Sequence, residues 1–446
     1  MDDSEKNSDE DAMEVEDSVS DAKKTTKSKK PKEKINRIEL IKCCTFQVYV
    51  PGVSRALKSG EEWEYDPEAY RIFHKFESDW PCLSFDIINS VDKDDSSMTL
   101  SLIAGSQADS RNIRNNQLYV MKLVGITPIV EELDDSDDDY DENRRSPVMH
   151  CVSIRHHGEV NRIKATNLGQ STVCAVWNSF NKVQLWNATN ALNCINNLDS
   201  DAKILRKSLD EKPLMSFESS IDGYGISWSS LKTGRLASGD KHGKIFIWTM
   251  AEGGTWTVDQ RPLVGHKGSI EDLMWSPTEE PLLASCSVDS TIKLWDIRVA
   301  RKEACVCTVS NAHASDVNVL SWNKYEPLLL TGGDDAVLNI WSLKTIQYNE
   351  AVARFKHHKQ PITSVEWSPH DSTTMVASSE DDQITIWDLS VEQDESENLK
   401  GVPPQLLFIH MGQNEIKEVH WHNRYKGLLV TTAVTGFDVF QPCNIA

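Results

Sequence analysis

The sequence predicts an all-β protein, a propeller of seven four-stranded blades, and three observations carry that expectation. The first is a unit at residues 265–298, GHKGSIEDLMWSPTEEPLLASCSVDSTIKLWDIR. In it three apolar runs of strand length (270–275, 281–287 and 291–295) alternate with turn residues such as Ser276-Pro277 and Asp289-Ser290. The second is recurrence, since the Trp that closes the unit returns as Trp248, Trp295, Trp341 and Trp387, every 46 or 47 residues. The third is physical: one such sheet cannot bury both its faces, so the units must stack, and the period lies just above the roughly 40 to 45 residues of a propeller blade. Helices do not fit these runs.

With Gly265-His266 opening the unit and Trp295-Asp296 closing it, the chain resembles the WD40 family. That resemblance assigns His266, Ser285, Asp289 and Trp295 to a structural tetrad, a hydrogen-bonded chain of indole, hydroxyl, imidazole and carboxylate inside one blade. The next unit repeats it with His313, Thr331, Asp335 and Trp341. The one after keeps His358, Asp381 and Trp387 but has Ala377 at the hydroxyl position, so its tetrad is broken or rescued by Ser378. Buried polar groups persist when they are satisfied in this way, and recurrence at blade spacing marks architecture and not one active site. A serine hydrolase is therefore rejected, and no catalytic residue is assigned.

Composition narrows the function classes. The chain has 446 residues, 68 acidic and 47 basic, for a formal charge of −21, which argues against a phosphate backbone as main ligand and for cationic protein partners. Ten cysteines show no CxxC pair, so neither a zinc site nor a disulfide framework is indicated, no metal or cofactor is expected, and a reducing compartment follows. The first residues are too charged for a signal peptide, and no apolar run approaches the roughly 18 residues of a membrane span. A soluble, intracellular, monomeric ring is expected.

Along the chain, residues 1–35 form a tail of ten acids and one lysine (1–22) followed by seven lysines and one acid (23–34). Without aromatics it cannot bury enough area to order, and KKTTKSKKPKEK reads as a nuclear localisation signal. Ser8 and Ser18, each with an acid three residues on, suit an acidophilic kinase. Residues 36–78 are an N-terminal segment whose alternating run at 69–76 is expected to close the ring by pairing with the last blade, leaving no long exposed edge. The propeller itself is placed at 79–446, beginning with DWPCLSFD at 79–86. Residues 131–145 are expected to be a loop, because Glu131, Glu132, Asp134, Asp135, Asp137, Asp138, Asp139, Asp141 and Glu142 are too dense for a strand or helix. They are the expected partner-binding residues.

The second blade is placed at 148–186, with Val176 and Phe180 where hydroxyl and acid belong, so it has no tetrad. An insertion at 190–212 is expected on a ring surface. The third blade, 216–248, has His242 at the acid position and the 223–225 region in place of Gly-His. The seventh, 405–440, ends in Phe440 at the Trp position, where packing must replace the hydrogen-bond chain.

The Trp80-Pro81-Cys82-Leu83 lead-in is similar to the histone-binding branch of WD40 proteins, the retinoblastoma-binding and chromatin-assembly proteins. Tyr49-Val-Pro-Gly52, Asp66-Pro-Glu-Ala-Tyr70, the acidic insert and Gly436-Phe437 resemble the glutamate-rich WD repeat family, over roughly nine tenths of the chain. That resemblance implies a nuclear and nucleolar chaperone of basic proteins, with histone binding and escort of the third protein of the large ribosomal subunit. One departure ranks ribosomal-protein escort first. The retinoblastoma-binding proteins grip a histone helix with a long N-terminal helix, and here Pro51-Gly52 and Gly60 interrupt residues 36–60.

Two other functions compete. Trp295, Asp296 and Arg298 match the WDxR box by which substrate receptors contact a cullin ubiquitin ligase adaptor, although Arg298 can equally solvate a strand end. A passive scaffold in pre-ribosomal particles would use the acidic segments for solubility alone. Sequence-specific nucleic-acid binding and membrane association are not expected.

Overall fold

A computed structural model of the chain describes residues 65–88, 98–108, 111–129, 147–198, 205–392 and 402–445. The charged tail, the segment at 36–60 with its Pro51-Gly52 interruption, and the acidic residues at 131–142 lie outside the described residues. The described strands form seven separate sheets, the blades of a propeller.

The first strand, β1 (Tyr70–Glu77), runs antiparallel to the last, β30 (Gly436–Pro442), with Phe73 opposite Phe440 and Phe76 opposite Phe437. This pairing closes the ring at its rim, so two stretches of the chain 340 residues apart share one blade. The first blade then holds β2 (Cys82–Ile88), β3 (Met98–Ser106), β4 (Gln117–Ile126) and β5 (Val148–Arg155). The second blade is built by β6 (Val160–Leu168), β7 (Ser171–Asn178) and β8 (Lys182–Asn187). Helix α1 (Thr189–Asn196) and β9 (Arg206–Leu209) follow, and β10 (Met215–Glu218) completes the second sheet.

The third blade has β11 (Ile226–Trp228), β12 (Arg235–Gly239) and β13 (Lys244–Met250), with β14 (Trp256–Val258) and β15 (Leu263–Val264) both paired to β13. The fourth has β16 (Ile270–Trp275), β17 (Leu282–Ser287), β18 (Ile292–Asp296) and β19 (Cys305–Val309). The fifth has β20 (Val317–Trp322), β21 (Leu328–Gly333), β22 (Leu338–Ser342) and β23 (Ala353–Phe355). The sixth has β24 (Ile362–Trp367), β25 (Thr374–Ser379), β26 (Gln383–Asp388) and β27 (Leu406–Met411), and the seventh has β28 (Val419–Trp421), β29 (Leu429–Ala433), β30 and β1.

The sheets are offset by one strand from the units read along the sequence. Residues 148–155, expected in the second blade, are the outer strand of the first, and β10 and β27 likewise belong to the second and sixth blades. The closing Trp marks a third strand, and the fourth crosses to the rim before the chain enters the next blade. The insertion also departs from a plain surface loop. In α1 the side chains of Ala191, Leu192 and Ile195 lie on one face at helical spacing and are buried, while β9 joins β5 in parallel and gives the first blade a fifth strand.

Between the second and third strands of five blades, one residue takes a left-handed backbone: Asn181, Gly243, Ser290, Ala336 and Asp382, with φ of 61°, 74°, 60°, 59° and 59°. The hairpin imposes this conformation whatever the residue. At Gly332 the reason for glycine is space, because a Cβ there would stand 2.5 Å from Cγ2 of Ile362 in the next blade. The core is thus a set of blade-to-blade contacts, with Val160, Ile270 and Ile362 fully buried where each new blade begins. The eight described cysteines are free, and no described helix is long and apolar enough to cross a membrane.

Candidate functional site

Five of the innermost strands start with the same irregularity. One residue is skipped in the pairing of β2, β6, β16, β20 and β24, and the skipped residues are Leu83, Asn161, Glu271, Asn318 and Thr363. A bulge turns its extra side chain away from the ladder. All five line one cavity of about 220 Å3 at the mouth of the ring axis, with Arg162, Tyr224, Asp334, Glu380, Lys417 and Glu418.

The charge at this mouth is unbalanced. Arg162 Nη1 is committed to Glu418 at 2.5 Å, and Lys417 lies 3.7 Å from Glu415. Glu271, Asp334 and Glu380 have no cation within ion-pair distance among the described residues. Asn318 donates to Asp334 at 2.7 Å. Burial lifts the Glu271 carboxyl above its ordinary value, and burial together with the like charge of Asp334 lifts Asp316 beside it. A cation entering the mouth would relieve both.

Below the mouth, side chains bind the innermost strands to one another, because adjacent blades share no backbone ladder there. Ser84 accepts the Ile163 N–H at 3.0 Å, Ser227 that of Trp275 at 3.1 Å, and Asp272 that of Leu320 at 3.2 Å. Ser321 accepts from Trp367 at 3.1 Å, Glu366 from Trp421 at 3.1 Å, and Glu418 from Phe85 at 2.9 Å. Between the second and third blades the link is the Trp228 indole, donating to the Lys164 carbonyl at 2.8 Å. The circle is therefore closed at its inner edge as well as at its rim. The sequence reading missed this belt, although a signal existed in the second series of tryptophans at 228, 275, 322 and 367.

Glu418 is the hub. Its carboxylate accepts from Ser84 at 3.1 Å and from Phe85, pairs with Arg162, and has Lys164 at 3.9 Å and His420 at 3.4 Å. Burial alone would raise its pKa, but Lys164, Arg162 and His420 together hold it well below the usual carboxylate range. His420 in turn lies 2.8 Å from Glu366 and 3.0 Å from Lys164 Nζ. Burial and the lysine oppose its charge, yet the two carboxylates prevail and push it up to about 9.

The tetrad residues stand in one hydrogen-bonded chain per blade. Trp295 Nε1 donates to Ser285 Oγ at 2.8 Å, Ser285 meets His266 Nε2 at 2.7 Å, and His266 Nδ1 lies 3.1 Å from Asp289. An indole can only donate and a carboxylate only accept, so the serine proton goes to Nε2 and Nδ1 carries the other. Trp341, Thr331, His313 and Asp335 repeat it at 3.0, 2.8 and 2.9 Å.

The expected rescue by Ser378 does not occur. Thr385, opposite Ala377 on the neighbouring strand, takes Trp387 Nε1 and His358 Nε2 at 2.8 Å each, while His358 Nδ1 reaches Asp381 at 3.1 Å. Ser378 bonds Thr363 instead. In the third blade Trp248 still donates to Ser238 at 2.9 Å, and the buried carboxylate is Asp240, two residues before His242. In the second blade, Trp186 Nε1 and His156 Nε2 are buried without a partner among the described residues. In the seventh, Phe440 stacks on His410 at 4.1 Å, but Thr431 still donates to Gln413 at 2.6 Å, so packing replaces only part of the chain.

The WDxR residues divide. Trp295 is buried in its tetrad, and Arg298 folds back on Asp296 at 2.6 Å with its side chain 69% exposed. The described flank of the acidic segment runs beside the ring-closing strand, where Ile129 N–H meets the Arg71 carbonyl at 2.8 Å. The chain enters the acidic residues near the far end of β4, on the face opposite the mouth. No group of described His, Cys, Asp and Glu side chains is arranged to hold a metal ion.

Two family models match the chain. One, described as histone-binding protein RBBP4 or a component of the CAF1 complex, covers residues 60–127. The other, the WD domain, G-beta repeat, covers residues 258–296, 303–342 and 349–388, the three segments that carry complete tetrads. Among curated proteins, the chain is 38% identical to Protein HEAT STRESS TOLERANT DWD 1 of Arabidopsis thaliana, over 90% of this chain and 92% of that one. It is 37% identical to glutamate-rich WD repeat-containing protein 1 of Dictyostelium discoideum, over 89% and 85%. With ribosome assembly protein rrb1 of Schizosaccharomyces pombe the identity is 34%, over 88% and 84%.

Proposed function

The chain belongs to the WD40 propeller family that includes glutamate-rich WD repeat-containing protein 1 and ribosome assembly protein rrb1, and from that premise we propose that it is a non-enzymatic chaperone of basic nuclear proteins. Its principal client is a basic protein of the large ribosomal subunit, escorted to assembly in the nucleus and nucleolus. Histones are a second class of client, in keeping with the histone-binding description matched at residues 60–127.

The observation that carries the reading is the axial mouth, where Glu271, Asp334 and Glu380 converge without cations of their own. A lysine or arginine side chain supplies what that geometry lacks. The nine acids at 131–142 add a second anionic surface, attached on the opposite face. Binding, and not catalysis, suits the histidines too, because both ring nitrogens of His266, His313 and His358 are engaged within the blades.

Contacts made where water is excluded contribute about 1.5 to 3 kcal/mol per charge-assisted hydrogen bond, and exposed pairs far less. Client affinity therefore has a salt-sensitive part from the acidic stretch and a less sensitive part from the mouth. The test replaces the nine acids by Ser and Asn, and separately makes Glu271→Gln with Glu380→Gln. Protection of a basic ribosomal protein from nonspecific RNA is then assayed at two salt concentrations. Loss of protection supports the chaperone, and full protection by both variants favours a passive scaffold.

One observation favours a second reading as a substrate receptor of a cullin ubiquitin ligase. Arg298 extends into solvent directly after the buried Trp295.

A further inference from the structure

A second cavity, of about 240 Å3, opens in the wedge between the last and the first blade, away from the axial mouth. Its walls include the side chains of Met121, Met149 and Cys151 from β4 and β5, so the slot is apolar along most of its length. Tyr119 also lines it. That residue is only 4% exposed, and its hydroxyl has no hydrogen-bond partner among the described residues. A buried phenol without a partner costs about 1 to 3 kcal/mol of lost hydration, so its hydroxyl is a strong site for any polar group that enters.

At the rim Asp79 faces Arg206, the first residue of the inserted strand β9, at 3.1 Å. Both side chains are about two-thirds exposed, 66% and 67%, and an ion pair so open to water is readily exchanged. The chain thus already sets one guanidinium against this acid, from an insertion that can be displaced without breaking the four-stranded blade.

Resting on the reading of the chain as a binder of basic proteins, we propose that this wedge takes up one arginine or lysine side chain of a polypeptide partner. The methylene stem lies along Met121 and Met149, and the cationic head donates to the Tyr119 hydroxyl and to the Asp79 carboxylate in place of Arg206. Long basic side chains have this two-part character, an apolar stem and a charged tip. Thioether walls accommodate stems of either length.

The experiment measures binding of a fluorescently labelled Arg-Gly-Ser repeat peptide, and of the same peptide with norleucine for arginine, to the full chain. Wild type is compared with Tyr119→Phe, Asp79→Asn and Arg206→Ala. The expected result is arginine-peptide binding weakened about tenfold by Tyr119→Phe and by Asp79→Asn, tightened by Arg206→Ala, and absent for norleucine. The melting temperature of Tyr119→Phe stays at the wild-type value, since the lost hydroxyl had no partner to leave unpaired, and Asp79→Asn changes an exposed residue that folding does not need. Wild-type affinity in all three variants, or norleucine binding equal to arginine, overturns the wedge while leaving the basic-client function intact. Failure of wild type to bind the arginine peptide at all removes both.

Discussion

Thr385 faces Ala377 across β25 and β26, and its hydroxyl fills the role that a serine or threonine at the position of 377 has in the two preceding blades. Thr385→Val should leave Trp387 Nε1 and His358 Nε2 buried without a shared partner, destabilising the protein by about 2 to 4 kcal/mol. Adding Ala377→Ser should recover most of that, whereas Ser378→Ala should cost under about 1 kcal/mol. Denaturant unfolding of the four proteins decides it, and a neutral Thr385→Val would refute the relay.

The Glu418 hub predicts how stability follows pH. Its folded pKa is depressed from 4.5, so its contribution is complete above 4.5 and is lost as pH falls through that value. His420 is raised from 6.5 to about 9, so its contribution is complete below 6.5 and is lost as pH rises from 6.5 towards 9. Thermal unfolding across a range from acid to alkaline pH should therefore show decline at both ends. Glu418→Gln should flatten the acid limb and destabilise by about 3 to 5 kcal/mol at neutral pH, because it leaves Arg162 buried and unpaired.

Two substitutions test the blade geometry. Gly332→Ala drives a Cβ against Ile362 and should cost about 1 to 3 kcal/mol. Ala336→Gly relieves a left-handed alanine at φ 59° and should be neutral to stabilising, by up to about 1 kcal/mol after the entropy of the unfolded glycine is counted. Melting temperatures moving the other way would contradict the turn and packing assignments.

Arg298→Ala should leave stability within about 0.5 kcal/mol, since its pair with Asp296 is largely solvent-exposed. Pull-down of a cullin ligase adaptor is the separate readout. An undiminished pull-down excludes the ligase-receptor reading.

The architecture was legible in the residues because its signals are local. A Trp every 46 or 47 residues, turn residues between apolar runs, and Gly-His ahead of the most regular unit all act within one blade. The His266 and His313 tetrads were legible for the same reason. The substitute hydroxyl of Thr385 was not, because cross-strand register decides which side chain meets the Trp387 indole, and residues 377 and 385 become neighbours only when β25 and β26 pair. The partner of β10 was hidden likewise, since a sequence unit ends at its Trp while its sheet takes one strand more from the following stretch.

What the chain by itself determined is a ring of repeated sheets and a strongly anionic character, because periodicity and charge are sums over near neighbours in sequence. Which acids stand unneutralised at the axis, how Glu418 joins the last blade to Phe85 of the first, and where Tyr119 lacks a partner among the described residues were decided only by closure of the ring. Closure sets residues hundreds of positions apart against one another, and the burial and pairing of each side chain depend on neighbours that no local pattern names.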